Sequence, residues 1–234
     1  MKSTKLFAAV AIFSIMATSA AFGQTRRQTR ISDIDISRGL KEALNVGISN
    51  AVSQLGQEGG YLDDPRVRIP LPNGLQRMEG TLRILGQGRR VDEFVRAMNK
   101  AAEQAVPVAV DVFVDSVRQM SFTDARNILF SGQDDSATQF FRRTSEEKLR
   151  VKFRPIVEEM TASVGVTQQY KSLIGRYGVI GKAFGEDASD LDGYVTQKAM
   201  DGLFLLIADE ERKIRRDPIG RTTSILRIVF GSLR

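Results

Sequence analysis

Two side chains are missing from this sequence altogether: none of its 234 residues is a cysteine and none is a histidine. Without cysteine no disulfide can form even in an oxidising compartment, so the fold must stand on packing alone. A lipid anchor on an N-terminal cysteine is excluded for the same reason. Without histidine the usual general base near neutral pH is absent. A Ser-His-Asp triad, a Cys-His pair and a His-bearing zinc site are therefore ruled out. Any chemistry would have to draw on carboxylates, Lys, Tyr, Ser or Arg. Long apolar runs are scarce too. Beyond the N-terminus the longest, Leu203 to Ala208, falls far short of the roughly 20 residues a bilayer span requires.

The N-terminus has a different character. Lys2 and Lys5 precede an uncharged apolar run, Leu6 to Met16, and Ala21-Phe22-Gly23 follows with small residues at the alternate positions. This pattern predicts an export signal cleaved after Gly23. The expected product is periplasmic, with an extracellular destination as the alternative. It carries no further membrane span. Residues 24–31 are polar and basic and read as a flexible mature N-terminus. The formal charge of the whole chain is +6; loss of Lys2 and Lys5 leaves 32 bases against 28 acids, a net of +4. So modest an excess suits anionic envelope polymers or lipid headgroups better than nucleic acid.

From residue 32 to 231 the periodicity is helical and predicts a single all-α domain, a bundle of roughly eight to ten helices joined by short loops. Leu40, Leu44, Ile48, Ala51 and Leu55 mark the first helix, with Gly56 expected in the C-terminal stop role. Residues 56–74 hold three prolines and several glycines; alternating Val67, Ile69 and Leu71 predict an extended strap on the surface of the core. Helices are predicted to end at Gly86, to run from Val91 to Ala105, to restart at Pro107, and to open again at Ser121. Ala137, Phe140 and Phe141 mark a segment capped by Asp134 or Asp135. Thr144-Ser-Glu-Glu147 fits a capping box that would open the next helix. Further helices are expected from Thr167 to Tyr177 and around Ile225 to Phe230. The most apolar helix spans about 191–215, with Val195, Ala199, Gly202, Leu203 and Leu206 in one stripe and Phe204, Leu205 and Ile207 on its remaining sides. A helix apolar all round belongs at the centre of a bundle.

Candidate chemistry is sparse. Ser145-Glu-Glu-Lys148 matches the S-x-x-K pattern of penicillin-interacting serine enzymes, but the supporting K-T-G and S-D-N motifs are missing. Asp190-Leu-Asp192-Gly193 hints at a calcium loop, yet an EF-hand register would put alanines at positions 1 and 12, where carboxylates are needed. Helix capping accounts for the same residues. Gly86-Gln-Gly88-Arg-Arg lacks the strand and the Gly-Lys-Ser/Thr ending of a phosphate loop and reads as a helix–helix turn. Neither a metal nor a cofactor is expected.

Two clusters remain. Gln139, Arg142 and Arg143 lie on the helix face away from Phe140 and Phe141, where paired guanidinium groups could grip a carboxylate or phosphate; Glu146 one turn on could equally neutralise them. Tyr194, Lys198 and Asp201 form a stripe at i, i+4 and i+7 that could line a pocket or pair with neighbouring helices. Asp134, Asp135, Asp190, Asp192 and Asp201 could supply the two carboxylates of a hydrolase acting on an envelope polymer, given a separation of about 5–10 Å. The leading reading is non-catalytic: an envelope protein that binds a partner or an anionic ligand through Arg142, Arg143, Tyr194 and Lys198. A structural or stress-related protein with no ligand site is the third.

Four segments resemble a known family: Gly39-Leu-Lys-Glu-Ala-Leu44, Val67-Arg-Ile-Pro-Leu-Pro72, residues 134–144 and residues 192–204. Together they are similar to the bacterial domain of unknown function 4197 over roughly residues 32–231. The resemblance implies an exported, helical, single-domain protein. It supplies no activity and no functional residue.

Overall fold

A computed structural model describes residues 33–163 and 190–216. All of them fall within the unit Ile31–Arg234. The element order is α1 (Asp33–Gly56), α2 (Asn73–Ile84), α3 (Gly88–Ala105), a 3-10 turn (Val106–Val108), α4 (Ala109–Gln119), α5 (Phe122–Phe130), α6 (Ser136–Ser163) and α7 (Leu191–Arg216). No strand occurs among the described residues. The domain is all-α, as the periodicity predicts. The signal segment 1–23, the mature N-terminus 24–31, and the helices expected at 167–177 and 225–230 lie outside the described residues.

The centre is α7. Val195, Ala199, Leu203 and Met200 are fully buried and Gly202, Phe204, Leu206 and Ile207 nearly so. It packs on α6, α1 and α3. Of its large aliphatic and phenyl side chains only Leu205 reaches solvent, at 37% exposure. The ring of Phe113 from α4 meets Phe204 and Phe141 edge-on, with centroids 5.9 and 5.2 Å away. The predicted wrapped rod is therefore present, held by aromatic edges as well as aliphatic contact.

Residues 57–72 are more deeply embedded than a surface strap. Tyr61 is fully buried, as is Ile69, and Val67 and Leu71 are also buried. The Tyr61 hydroxyl donates to the Ala199 carbonyl at 2.7 Å and its amide donates to Glu103 Oε1 at 3.2 Å. Burial, with Glu103 beside it, pushes the phenol above its usual range, so it stays a donor. Asn99 takes the place of a partner strand. Its Oδ1 accepts from the Ile69 amide at 2.8 Å while its Nδ2 donates to the Ile69 carbonyl at 2.9 Å and the Val95 carbonyl at 2.8 Å. One amide side chain thus satisfies both backbone groups of a buried residue. The exposed side of the segment is tied down by Arg66, which bridges Asp64 and Asp209 of α7.

Two local expectations change. Gly56 ends α1 without a left-handed backbone; Gly59 adopts that conformation, at φ +78°. Thr144 to Glu147 open no helix, because Ala137, Phe141, Ser145, Leu149, Phe153 and Val157 are buried at every fourth residue and α6 runs through without a break in phase. The Thr144 hydroxyl donates back to the Phe140 carbonyl, and Ser145 Oγ meets Ser116 Oγ of α4 at 2.7 Å. The capping box sits instead at Ser121 and Asp124, at the start of α5.

Candidate functional site

The placement of the nine candidate residues follows from one register. Helices α6 and α7 run antiparallel: Thr138 meets Glu211, Arg142 meets Phe204, Arg150 meets Gln197 and Thr161 meets Asp192. Thr138 and Thr161 are 23 residues apart on one helix, roughly 35 Å at 1.5 Å per residue. Asp134 and Asp135 therefore lie at the opposite end of the helix pair from Asp190 and Asp192, while Arg142 faces Phe204, one turn from Asp201. No carboxylate pair can form between Asp134 or Asp135 and Asp190 or Asp192. Asp192 and Asp201 are roughly 14 Å apart along α7, beyond the span such a pair needs.

Each end has its own structural account. Asp135 does not cap α6 with its side chain; its Oδ1 accepts from Gln139 Nε2 at 3.0 Å, while Asp134 is exposed. The cap comes from α7. The Glu211 carboxylate accepts from the amides of Ala137 and Thr138 and from the Thr138 hydroxyl, each at 2.9 Å, and holds Arg215 at 2.7 Å. Arg142 does not turn away from the core: its guanidinium lies 4.4 Å over the Phe204 ring. Glu146 pairs with Arg150, leaving Arg143 exposed near Asp124. The Ser121 hydroxyl and amide hold the Asp124 carboxyl below the usual carboxylate range.

At the other end Asp190 caps α7, accepting from the Gly193 amide at 2.9 Å and pairing with Arg154. Asp192 Oδ1 accepts from the Thr161 hydroxyl at 2.6 Å. Asp201 accepts from Gln197, which accepts from Arg150. The Tyr194 hydroxyl donates to the Pro70 carbonyl at 3.1 Å, and Lys198 stands exposed with its ammonium 5.9 Å from the Tyr194 ring. Among the described residues no three carboxylates converge as a metal set. Ser145 is 1% exposed and bonded to Ser116, so the S-x-x-K pair presents no accessible nucleophile. An open groove of about 490 Å³ runs along α1, lined by Arg38, Lys41, Glu42, Asn45, Val46, Ser49 and Asn50; none of the nine candidates borders it.

A different region concentrates charge. The hairpin of α2 and α3, residues 73–100, carries six bases against three acids, and Arg68 lies beside it. All three acids are engaged. Glu79 and Asp92 both pair with Arg83, at 2.9 and 2.7 Å, and Glu93 pairs with Arg89 at 2.9 Å. The Arg83 hydrogen bond, with Arg96 and Arg68 adding charge, holds the Asp92 carboxyl below the usual range. Arg68, Arg77, Arg90, Arg96 and Lys100 are exposed and make no ion pair among the described residues. The first turn of α3 holds no acid and receives no side-chain cap. Its free amides and the positive end of the helix dipole add to the field of Arg89 and Arg90. No local pattern marks this corner in the sequence; the fold brings Arg68, Arg83 and Arg96, from three parts of the chain, around Asp92.

Comparison with known proteins bears on the whole domain. A family model described as "Protein of unknown function (DUF4197)" matches residues 30–231, in agreement with the four resembling segments. No curated protein and no solved structure matches the chain.

Proposed function

The chain belongs to the DUF4197 family, whose description assigns no activity, and from that premise we propose a non-catalytic envelope protein that binds an anionic partner through the α2–α3 corner. Export by residues 1–23, cleavage after Gly23 and a periplasmic location belong to the same proposal, supported by the N-terminal pattern. The observation that carries the binding reading is the charge of residues 73–100, where six bases face three acids that are already paired, four bases of the hairpin and its neighbour Arg68 are exposed without an ion pair among the described residues, and α3 starts without a side-chain cap. Such a surface attracts phosphate or carboxylate groups. The carboxylates offered for catalysis lend no support to a hydrolase, since Asp135, Asp190, Asp192 and Asp201 are each held in hydrogen bonds of the fold.

The test is binding of the full chain to a fluorescent inorganic polyphosphate, followed by anisotropy. Affinity should fall as salt rises. Arg90→Ala/Arg96→Ala should weaken it by roughly tenfold, whereas Arg142→Ala/Arg143→Ala should leave it nearly unchanged. Equal losses in the two double variants would move the contact back to α6. No salt-dependent binding at all would end the proposal.

A further inference from the structure

The tip of the same hairpin carries a feature that charge alone does not explain. Ile84 is 88% exposed and Leu85 is 63% exposed, side by side at the end of α2. Both lie between Arg83 and the Arg89-Arg90 pair. The turn is held out from the fold. Gly86 adopts φ +73°, a conformation that glycine tolerates and that reverses the chain, and a Cβ built there would meet nothing within 4 Å. Among the described helices, α2 packs chiefly on α3.

Three amides of this tip are paired within the turn. The Leu85 amide donates to the Thr81 carbonyl, the Gly86 amide to Arg83 and the Gln87 amide to Leu82, at 2.9–3.1 Å. With these amides paired, a shallow position at the headgroup level, where the carbonyls keep contact with water, strands no donor of residues 85–87. Ile84 and Leu85 project beyond it, with Arg83 just before them in the chain and Arg89 and Arg90 just after the turn, all three exposed.

We propose that the α2–α3 turn is a membrane-docking wedge, in which Ile84 and Leu85 enter the surface of an anionic phospholipid bilayer while Arg89 and Arg90 contact lipid phosphates. The proposal rests on the reading of this corner as an anion-binding surface and names its partner as a lipid surface. Charge complementarity selects lipid over a second copy of the chain, whose corresponding tip would bring the same excess of arginines into contact. Among the described residues no helix is long and apolar enough to cross a membrane. Attachment would be peripheral, combining a small apolar insertion with electrostatic attraction.

The absence of cysteine gives a clean test. Leu85→Cys in the full chain takes a nitrobenzoxadiazole probe at one place. Val151→Cys, on α6 and 67% exposed in the parent, provides the control position. The vesicles are equal parts of phosphatidylcholine and phosphatidylglycerol, or phosphatidylcholine alone. The expected result is a blue shift and brightening at position 85 on the anionic vesicles, far less on phosphatidylcholine alone, and none at position 151. Adding Arg89→Glu/Arg90→Glu to the labelled variant should raise the lipid needed for half the change by roughly tenfold or more. Equal shifts at both positions, equal shifts on both vesicle types, or a shift produced by raising protein concentration without lipid would each overturn the wedge. No shift at position 85 while polyphosphate is still bound would overturn it and leave the anion-binding corner standing. Loss of both would remove the two together.

Discussion

Gly202 sits where α7 passes beneath Tyr61. A Cβ there would lie 2.8 Å from Tyr61 Cε1 and 3.2 Å from Val67 Cβ. Helix propensity alone favours alanine by about 1 kcal/mol, but the clash falls on a ring that is fully buried and hydrogen-bonded to Ala199. Overpacking of this kind costs about 1–3 kcal/mol, so Gly202→Ala should lower stability despite its better propensity. Gly80 supplies the opposite case. It lies in α2, where an added methyl group would find nothing within 4 Å, so Gly80→Ala should raise stability by about 0.5–1 kcal/mol. Urea unfolding of the two variants checks both signs; a stabilised Gly202→Ala would show that Tyr61 does not pack on α7. In the sequence Gly202 falls in the apolar stripe of the central helix and Gly80 in a polar stretch between Glu79 and Thr81, but neither context says whether a Cβ would fit. What separates them is the neighbour across the interface, which spacing along one helix does not encode.

At the level of elements, α6 and α7 are joined by a buried carboxylate as well as by apolar contact. Glu211 is 3% exposed, and its oxygens satisfy two orphan amides at the start of α6, the Thr138 hydroxyl and Arg215. Removing the carboxylate would strand all of these groups at once. Glu211→Ala should therefore cost about 3–5 kcal/mol, and thermal unfolding should shift downward by roughly 2–4 °C for each of those kcal/mol. Glu211→Gln, which keeps one acceptor, should fall between parent and alanine variant. A Glu211→Ala midpoint equal to that of the parent would rule out this cap. The start of α6 is legible from Ala137, Phe140 and Phe141, and the residues next to it offer Asp134 and Asp135 as its cap. The cap comes instead from 73 residues away, a distance at which no local pattern operates.

Across the whole molecule, the response to pH follows from which groups the fold perturbs. Asp64, Asp92 and Asp124 are held below the usual carboxylate range, by Arg66, Arg83 and Ser121 respectively. A depressed folded-state value means the stabilisation is present at neutral pH, above the unfolded value, and is lost as pH falls through the folded one. The urea midpoint should accordingly fall below about pH 4. With no histidine in the chain there is no imidazole to add a step between about pH 6 and 8. A main transition centred near pH 6.5 would contradict this assignment.

Residue order and periodicity alone establish the all-α class, the family and the identity of the central helix, since each is a local property of the chain and a buried helix must be apolar on every side. They also establish what chemistry is unavailable, because a missing histidine or cysteine is missing in any fold. The packed fold was needed to show that α6 is continuous through residue 144, that Tyr61 and Ile69 are anchored by Ala199 and Asn99, that Asp134 and Asp135 stand at the far end of a helix pair from Asp190 and Asp192, that Arg68, Arg83 and Arg96 meet around Asp92, and that Ile84 and Leu85 are exposed. Those arrangements depend on antiparallel register and on contacts between residues distant in the chain, and such contacts are set by how whole helix faces fit against one another.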